Sequence, residues 1–276
     1  MTTAAPDAGL NTLSWGEEGP RIAFLHGLFG QGRNWTQIAK AVSGPDRADA
    51  RCLLVDLPDH GRSPWSAHFS LDGYADAVAS TLRAHGGDDG WTVVGHSLGG
   101  KVAMVLALRH PDLVERLVVV DIAPRGYGSL ERFAGYIGEM QRLPLAELTS
   151  RGDAEARFEE SDPGVKAFLL QNLRRDGPAW RWQVNLDLVA ADAALGTDSK
   201  IAGWPLEVDD LVPYPGPVLW VAGGDSGYVR PEDGERMRSH FPRTRLFTIK
   251  GAGHWVHSDA PEIIVAALRR FVTRPD

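Results

Sequence analysis

The chain has 276 residues, of which 43% are hydrophobic and 24% are charged, as in an ordinary globular protein. Its formal net charge of −7 argues against nucleic-acid binding, which requires a basic surface. No apolar run approaches the roughly 18 residues that span a bilayer, and the segment Met1 to Leu10 lacks the basic and apolar parts of a signal peptide. These features predict a cytoplasmic protein whose partners include neither a nucleic acid nor a membrane.

Short apolar runs, each ending at or just before Gly, Asp or His, alternate with segments of helical period. The runs are 22–25, 52–55, 91–94, 117–120, 218–221 and 245–249. Between them, apolar residues spaced i, i+3, i+4 and i+7 indicate helices that begin near Leu71 and, after an N-cap predicted at Asp259, near Pro261. This alternation predicts an α/β fold with a mostly parallel sheet and helices on both faces.

The strand–helix alternation is interrupted between Ile122 and Pro217. This stretch contains helical segments near 130–140 and 165–173 and three tryptophans, Trp180, Trp182 and Trp204. Because the sheet resumes afterwards, we predict one core, formed by residues 1–122 and 217–276. Residues 123–216 are predicted to form a helical lid, inserted after the strand that ends at Asp121, at the edge of the sheet where ligands bind.

A G-x-S-x-G motif, Gly95-His96-Ser97-Leu98-Gly99, lies between a predicted strand and a predicted helix. In that context the motif is typical of a nucleophile elbow, which lifts the serine oxygen above the sheet at a helix N-terminus. Ser97 is therefore the predicted nucleophile. His254 follows the last strand and the serine, as the chain order serine, acid, histidine requires, so it is the predicted base, with His257 as the alternative.

An oxyanion hole needs two N–H donors close to the nucleophile. One is predicted to be the backbone of Leu98, directly after Ser97. The other should come from the loop after the strand at 22–25, and Leu28 is the candidate.

Four motifs together resemble the YbfF-type small serine esterases of the α/β-hydrolase superfamily. They are His26-Gly27-Leu28-Phe29-Gly30, Gly95-His96-Ser97-Leu98-Gly99-Gly100-Lys101, Asp121-Ile122-Ala123-Pro124 and Gly251-Ala252-Gly253-His254-Trp255-Val256-His257. The similarity runs from about Ile22 to Phe271 and includes Phe168-Leu169-Leu170 followed by Trp180-Arg181-Trp182. It implies the α/β-hydrolase fold and a carboxylesterase or thioesterase that cleaves small esters or acyl thioesters, without a cofactor or a metal.

Two aspartates are candidates for the acid that orients His254. Asp225 follows the strand at 218–221, the commonest position of the acid in this fold. The resemblance favours Asp121 instead, because the family has its acid in the D-I-A-P motif and usually carries Asn where this chain has Asp225. Ser226 is expected to add a hydrogen bond to the acid or to the histidine.

The substrate pocket is predicted to include Phe29, His60, Trp255 and the three tryptophans of the insertion, Trp180, Trp182 and Trp204. For each of those three tryptophans, packing in the lid's own core is the competing interpretation. A C–C bond hydrolase, a cofactor-free haloperoxidase or perhydrolase, and a non-catalytic ligand receptor remain as alternative functions. Ser97 excludes the dehalogenase and epoxide hydrolase mechanisms, which need Asp at the elbow. The acyl chain length, the leaving group and the oligomeric state are left open.

Overall fold

The computed structural model describes residues 9–44, 50–86, 90–205, 208 and 210–273, so most of the N-terminal segment considered above lies outside the described residues. The strands are β1 (Thr12–Trp15), β2 (Arg21–Leu25), β3 (Arg51–Val55), β4 (Trp91–His96), β5 (Val114–Val120), β6 (Leu173–Asp176), β7 (Ala179–Trp182), β8 (Val218–Gly223) and β9 (Thr244–Ile249). The α-helices are α1 (Thr36–Val42), α2 (Leu71–Gly86), α3 (Leu98–Arg109), α4 (Glu131–Arg142), α5 (Arg151–Arg157), α6 (Pro163–Leu170), α7 (Leu186–Ala193), α8 (Gly234–His240), α9 (Val256–Asp259) and α10 (Pro261–Val272).

Seven strands form one sheet in the order β1-β3-β2-β4-β5-β8-β9. Every neighbouring pair is parallel except β1 and β3, which are antiparallel. This arrangement confirms the predicted mostly parallel sheet, and all six predicted strands are present in it. Strand β1 was not predicted, because its four residues are largely exposed at the sheet edge and form no buried apolar run.

The sheet is buried on both faces by two hydrophobic clusters. Along β2 the side chains alternate, so Ala23 and Leu25 join the cluster that contains α2 and α3. Ile22 and Phe24 join the opposite cluster, which contains α1 and α10. Because successive side chains of a strand point to opposite faces, a continuous apolar run is what a strand covered on both sides requires. The prediction of helices on both faces is confirmed.

The insertion, defined here as residues 123–216, contains α4 to α7 and a two-stranded antiparallel sheet of β6 and β7. The two predicted helical segments correspond to α4 and α6, with ends shifted by a few residues. The hairpin was not predicted, and it changes the setting of Trp180 and Trp182, which lie on β7. Nowhere in the described ranges does a helix combine the length and the apolarity that a membrane span needs.

The predicted N-cap of the C-terminal helix is wrong. Helix α10 begins at Pro261 and has Ala260 at its N-cap position. Asp259 ends the preceding short helix α9, and its Oδ2 accepts a hydrogen bond of 2.8 Å from the backbone N–H of Gly253. That contact ties α9 to the loop that carries His254.

Candidate active site

Ser97 occupies the tight turn between β4 and α3, where it is the N-cap residue with φ 52° and ψ −117°. A non-glycine residue with positive φ is strained, and such strain is typical of functional sites. The turn is possible because Gly95 has no side chain: a Cβ on Gly95 would lie 2.2 Å from the carbonyl oxygen of Gly99. The spacing of the two glycines in the motif therefore has a steric cause.

His254 lies in the loop after β9 and bridges Ser97 and Asp121. Its Nε2 is 3.0 Å from Ser97 Oγ, and its Nδ1 is 2.8 Å from Asp121 Oδ2. Since a carboxylate oxygen can only accept, Nδ1 carries the proton, which leaves Nε2 free to accept from the serine hydroxyl. The arrangement can therefore remove a proton from the serine oxygen.

Asp121 follows β5 and is fully buried, with φ 50°. Its Oδ1 accepts a hydrogen bond of 3.0 Å from the Gly223 N–H, and its Oδ2 accepts one of 2.5 Å from the Ser226 hydroxyl. With the bond from His254, these contacts satisfy both oxygens of the buried carboxylate, as burial of a charge requires. The hydrogen bond expected of Ser226 reaches the acid.

Asp225, the alternative acid, is not brought to His254. Its side chain is exposed, and its backbone N–H donates to the carbonyl of Ala252 at 2.9 Å. Within the described ranges, the Asp225 carboxylate forms no hydrogen bond or ion pair. The turn after β8 thus directs Ser226 toward the buried acid and Asp225 toward solvent.

Leu28, Leu98 and Ser97 border the same cavity. Leu98 is the first residue of α3, so its N–H has no acceptor within the helix. In the part of the chain that the structure describes, neither amide donates to another protein group. Two donors are thus available to a bound oxyanion.

The loop that carries Leu28 is held from two sides. His26 Nδ1 donates to the Gly27 carbonyl at 2.8 Å, while its Nε2 accepts from the Leu57 N–H at 3.0 Å. On the other side, Asn172 of the insertion donates from Nδ2 to the Phe29 carbonyl at 2.8 Å. These contacts fix a backbone in which Phe29 has φ 62°.

Tyr228 is a residue of the site that the sequence analysis missed. Its ring stacks on the imidazole of His254, with centroids 3.9 Å apart and an interplanar angle of 17°. Tyr127 donates a hydrogen bond of 2.7 Å to the carbonyl of Tyr228 and so holds that segment. Neither tyrosine belongs to a sequence motif, because the loops that bring them to the site are far apart in the chain.

Neutral histidines surround the site. Burial lowers the pKa of His26 to about 3 and that of His257 to about 4, and it lowers the pKa of His96 well below the ordinary value. His96 donates from Nε2 to the carbonyl of His254 at 2.8 Å, which supports the loop that carries His254. His257, the alternative base, instead packs against the rings of Trp35 and His96 at 4.6 Å in each case.

These buried histidines predict acid sensitivity. Between pH 6.5 and about 4 the unfolded chain binds protons that the folded chain does not, so stability rises with pH across this window and falls on acidification. Lowering the pH from 6.5 to 5 should cost about 2 kcal/mol of unfolding free energy per such histidine. Urea unfolding followed by tryptophan fluorescence at several pH values measures the slope.

The matched variants for this measurement are His257→Phe and His68→Gln. Removing the partly buried His257, whose pKa is lowered to about 4, should make the pH slope shallower, whereas removing exposed His68 should leave it unchanged. Equal pH slopes for the wild-type protein and His257→Phe would contradict the assignment of acid sensitivity to this histidine.

Two cavities open on Ser97. The smaller, of about 20 Å³, is bordered by His254 and by aromatic side chains that include Phe29 and Trp255. The larger, of about 280 Å³, extends past Leu98 toward the insertion and is bordered by Tyr228. Among the described residues, no group of three His, Cys, Asp or Glu side chains could hold a metal ion.

Four of the predicted pocket residues line neither cavity. The Nε1 of Trp180 donates to the Leu148 carbonyl at 3.0 Å, and that of Trp182 donates to the Met140 carbonyl at 3.2 Å, so both rings are part of the insertion's own packing. The other two are Trp204, which is buried in the hydrophobic core, and His60, which is buried next to the His26 ring at 5.1 Å. For Trp180 and Trp182 these contacts agree with the alternative of packing in the lid's own core, while Phe29 and Trp255 border the smaller cavity.

Comparisons with known proteins agree with this geometry. A family described as "alpha/beta hydrolase fold" matches residues 20–261. The chain is 37% identical to the sn-1-specific diacylglycerol lipase ABHD11 of Mus musculus, with 92% of this chain and 81% of that protein covered. It is 30% identical to esterase YbfF of Escherichia coli strain K12, with 91% of this chain and 92% of that protein covered.

A solved structure of a marine microorganism esterase matches with a TM-score of 0.87 and 29% identity, covering 95% of this chain and 99% of that one. The predicted resemblance to YbfF-type esterases, the predicted fold and the predicted hydrolase class are confirmed by these similarities. The chain belongs to the α/β-hydrolase fold family.

Proposed function

We propose that this hydrolase cleaves small carboxylic esters or acyl thioesters through an acyl-enzyme intermediate on Ser97. The observation that carries the proposal is the chain of hydrogen bonds from Ser97 Oγ through His254 to Asp121, at 3.0 and 2.8 Å. This is the geometry of a nucleophile, a general base and an acid that orients the base. The names of the relatives, an esterase and a diacylglycerol lipase, support an ester bond as the target.

In the first half-reaction, Ser97 Oγ attacks the substrate carbonyl carbon while His254 Nε2 accepts the serine proton. The negative charge that develops on the carbonyl oxygen is stabilised by the N–H groups of Leu28 and Leu98, helped by the N-terminal dipole of α3. His254 then donates its proton to the leaving oxygen or sulfur. Asp121 stabilises the imidazolium that exists between these two transfers.

In the second half-reaction, water replaces the alcohol or thiol. His254 takes a proton from the water, whose oxygen attacks the acyl carbon, and then returns a proton to Ser97 Oγ as the carboxylic acid leaves. No step in this scheme needs a cofactor or a metal. The cytoplasmic location expected from the sequence stays a prediction.

The proposal is tested by a fluorophosphonate probe together with a substrate screen. An activated serine should react with the probe in a one-to-one ratio, and the labelled peptide should contain Ser97. The screen compares p-nitrophenyl esters of increasing acyl length with acyl-CoA thioesters. Labelling without turnover of any ester or thioester would reject ester hydrolysis and favour another reaction of the same serine.

We also propose that residues 123–216 act as a cap over the site. Two contacts from this segment to the core support the proposal. Asn172 donates to the Phe29 carbonyl in the loop that carries Leu28, and the insertion's carbonyls at Ile201, Ala202 and Gly203 accept from Lys101 Nζ at 2.7 to 3.2 Å. The segment thus contacts both the loop that carries Leu28 and helix α3, which begins directly after Ser97.

The tryptophan assignments predict different effects for two substitutions. Trp182→Ala removes a side chain that is 6% exposed and packed inside the insertion, so it should cost about 3 kcal/mol or more of stability and reduce activity on all acyl lengths alike. Trp255→Ala enlarges the smaller cavity beside His254 and should change the preference among substrates. Thermal unfolding and kcat/KM across the ester series distinguish the two. A changed substrate preference in a stable Trp182→Ala protein would contradict the packing role.

A further inference from the structure

The larger cavity beside Ser97 is strongly basic. Four cationic side chains border it, together with a single carboxylate, that of Glu131; the cations are Lys101, Arg125, Arg132 and Arg230. This is opposite to the chain as a whole, which has 29 basic and 36 acidic residues. A cleft lined by one sign of charge raises the local concentration of ligands of the other sign.

Arg125 borders the cavity and is held in place by its neighbours. Its Nε lies 2.8 Å from Asp233 Oδ1, and its guanidinium stacks 4.0 Å from the centre of the Tyr127 ring, so its position is fixed. Its Nη2 is buried and, within the described part of the chain, has no hydrogen-bond acceptor. Because Nη2 is shielded from solvent, Arg125 would attract an anion in the cavity through the positive charge of its guanidinium.

The other arginines lie toward the mouth of the cavity. Arg132 is exposed, and its Cζ is 4.9 Å from the centre of the Tyr228 ring that stacks on His254. Arg230 is exposed and has Glu232 at 3.7 Å. Lys101 donates to three backbone carbonyls of the insertion, and burial lowers its pKa to about 7, so the permanent charge of the cavity comes from the arginines.

The position of His254 indicates which part of the substrate enters this cavity. The leaving atom must lie next to His254, which donates a proton to it, and His254 borders the smaller cavity. The acyl chain then extends from Ser97 on the other side, past Leu98 and into the larger cavity. The arginines therefore surround the acyl chain and not the alcohol or thiol.

We propose that the preferred substrates carry a carboxylate at the far end of the acyl chain, as in monoesters of dicarboxylic acids, and that Arg125 and Arg132 bind this carboxylate. The inference rests on the proposed ester hydrolysis and names its substrate class. Arginine is suited to this task because its planar N–H groups match the two oxygens of a carboxylate.

The test compares two esters with six-carbon acyl chains, p-nitrophenyl hexanoate and the p-nitrophenyl monoester of adipic acid. The quantity measured is the ratio of kcat/KM for the acidic ester to that for the neutral ester, at low salt. We expect this ratio to exceed one, and to fall by about fivefold or more in Arg125→Gln and in Arg132→Gln. Arg132 is exposed and unpaired within the described residues, so Arg132→Gln should fold even if Arg125→Gln does not.

Arg181→Gln is the matched control, since Arg181 is an exposed arginine on β7 that pairs with Asp176 and lies outside the cavity. Its ratio should equal that of the wild-type protein. A second pair of substrates, butyryl-CoA and butyryl-N-acetylcysteamine, tests for an anion on the leaving group. Arg132→Gln could lower the kcat/KM ratio of butyryl-CoA to butyryl-N-acetylcysteamine and leave the ratio of the adipate ester to the hexanoate ester unchanged. That result would overturn the assignment of the arginines to the acyl side.

Different results would refute the substrate class and the ester hydrolysis. If the neutral ester is hydrolysed as well as the acidic ester, with a ratio that neither arginine variant changes, the inferred substrate class is wrong and ester hydrolysis stands. If neither ester is hydrolysed and the probe does not label Ser97, the proposed function itself is wrong.

Discussion

Ser97→Ala should fold like the wild-type protein and lose ester hydrolysis by about 10⁴-fold or more. The substitution removes one oxygen atom, whose hydrogen bond is the one to His254 Nε2 at 3.0 Å. Without that oxygen no acyl-enzyme can form, and the remaining groups can only polarise the carbonyl. Because members of a catalytic triad act as a unit, losing the nucleophile should cost about as much as losing the whole triad.

Ser239→Ala is the matched control for this loss. Ser239 is exposed on α8, and its hydroxyl donates to the Arg236 carbonyl, so its removal should leave kcat/KM unchanged. Circular dichroism and thermal unfolding establish that both variants fold. Substantial turnover by folded Ser97→Ala, after contaminating activity is excluded by probe labelling, would show that another group is the nucleophile.

The nucleophile elbow could be predicted from the sequence because its geometry depends on the local backbone. The turn at Ser97 needs glycine at position 95, because a Cβ added there would lie 2.2 Å from the carbonyl oxygen of Gly99. A requirement of that kind leaves a short motif in the sequence. His254 was predicted to act with Ser97, and the structure places its Nε2 3.0 Å from Ser97 Oγ, since the ends of neighbouring parallel strands meet at one edge of the sheet.

Contacts between segments that are distant in the chain could not be predicted from the sequence. Tyr228 reaches His254, and Asn172 reaches the Phe29 carbonyl, through packing that leaves no periodic or spaced pattern. For the tryptophans of the insertion, the sequence left two competing interpretations. Their number suggested a pocket, but the Nε1 groups of Trp180 and Trp182 find backbone acceptors inside the insertion, which makes them part of its core.

The choice between two aspartates is an intermediate case. Both follow strands whose ends reach the same sheet edge, so position alone left Asp121 and Asp225 as alternatives. What separates them is the direction in which each turn points its side chain. Asp121 has φ 50° and is fully buried beside His254, whereas Asp225 lies in a turn that exposes it.

That difference predicts a second large effect. Asp121→Asn keeps the size of the side chain but replaces one of the two acceptor oxygens with an NH2 group, which can only donate. His254 Nδ1 then loses the charged partner that holds its proton in place, and the imidazolium loses its stabilisation. In another triad the same change costs about 10⁴-fold in kcat because the imidazole adopts the wrong tautomer. We expect a loss of about 10³-fold or more here.

Asp225→Asn is the matched comparison, since it makes the same chemical change at the neighbouring strand end. An exposed carboxylate without a hydrogen bond to His254 acts only through a solvent-screened field, so kcat should change by less than about tenfold. The measurement is kcat for both variants on one p-nitrophenyl ester, with the pH profile recorded for each. If Asp225→Asn lost more than Asp121→Asn, the acid role would belong to Asp225, and the bond between His254 Nδ1 and Asp121 Oδ2 would be structural only. Similar large losses in both would mean that the two carboxylates stabilise one imidazolium together, which requires the turn after β8 to reorganise when substrate binds.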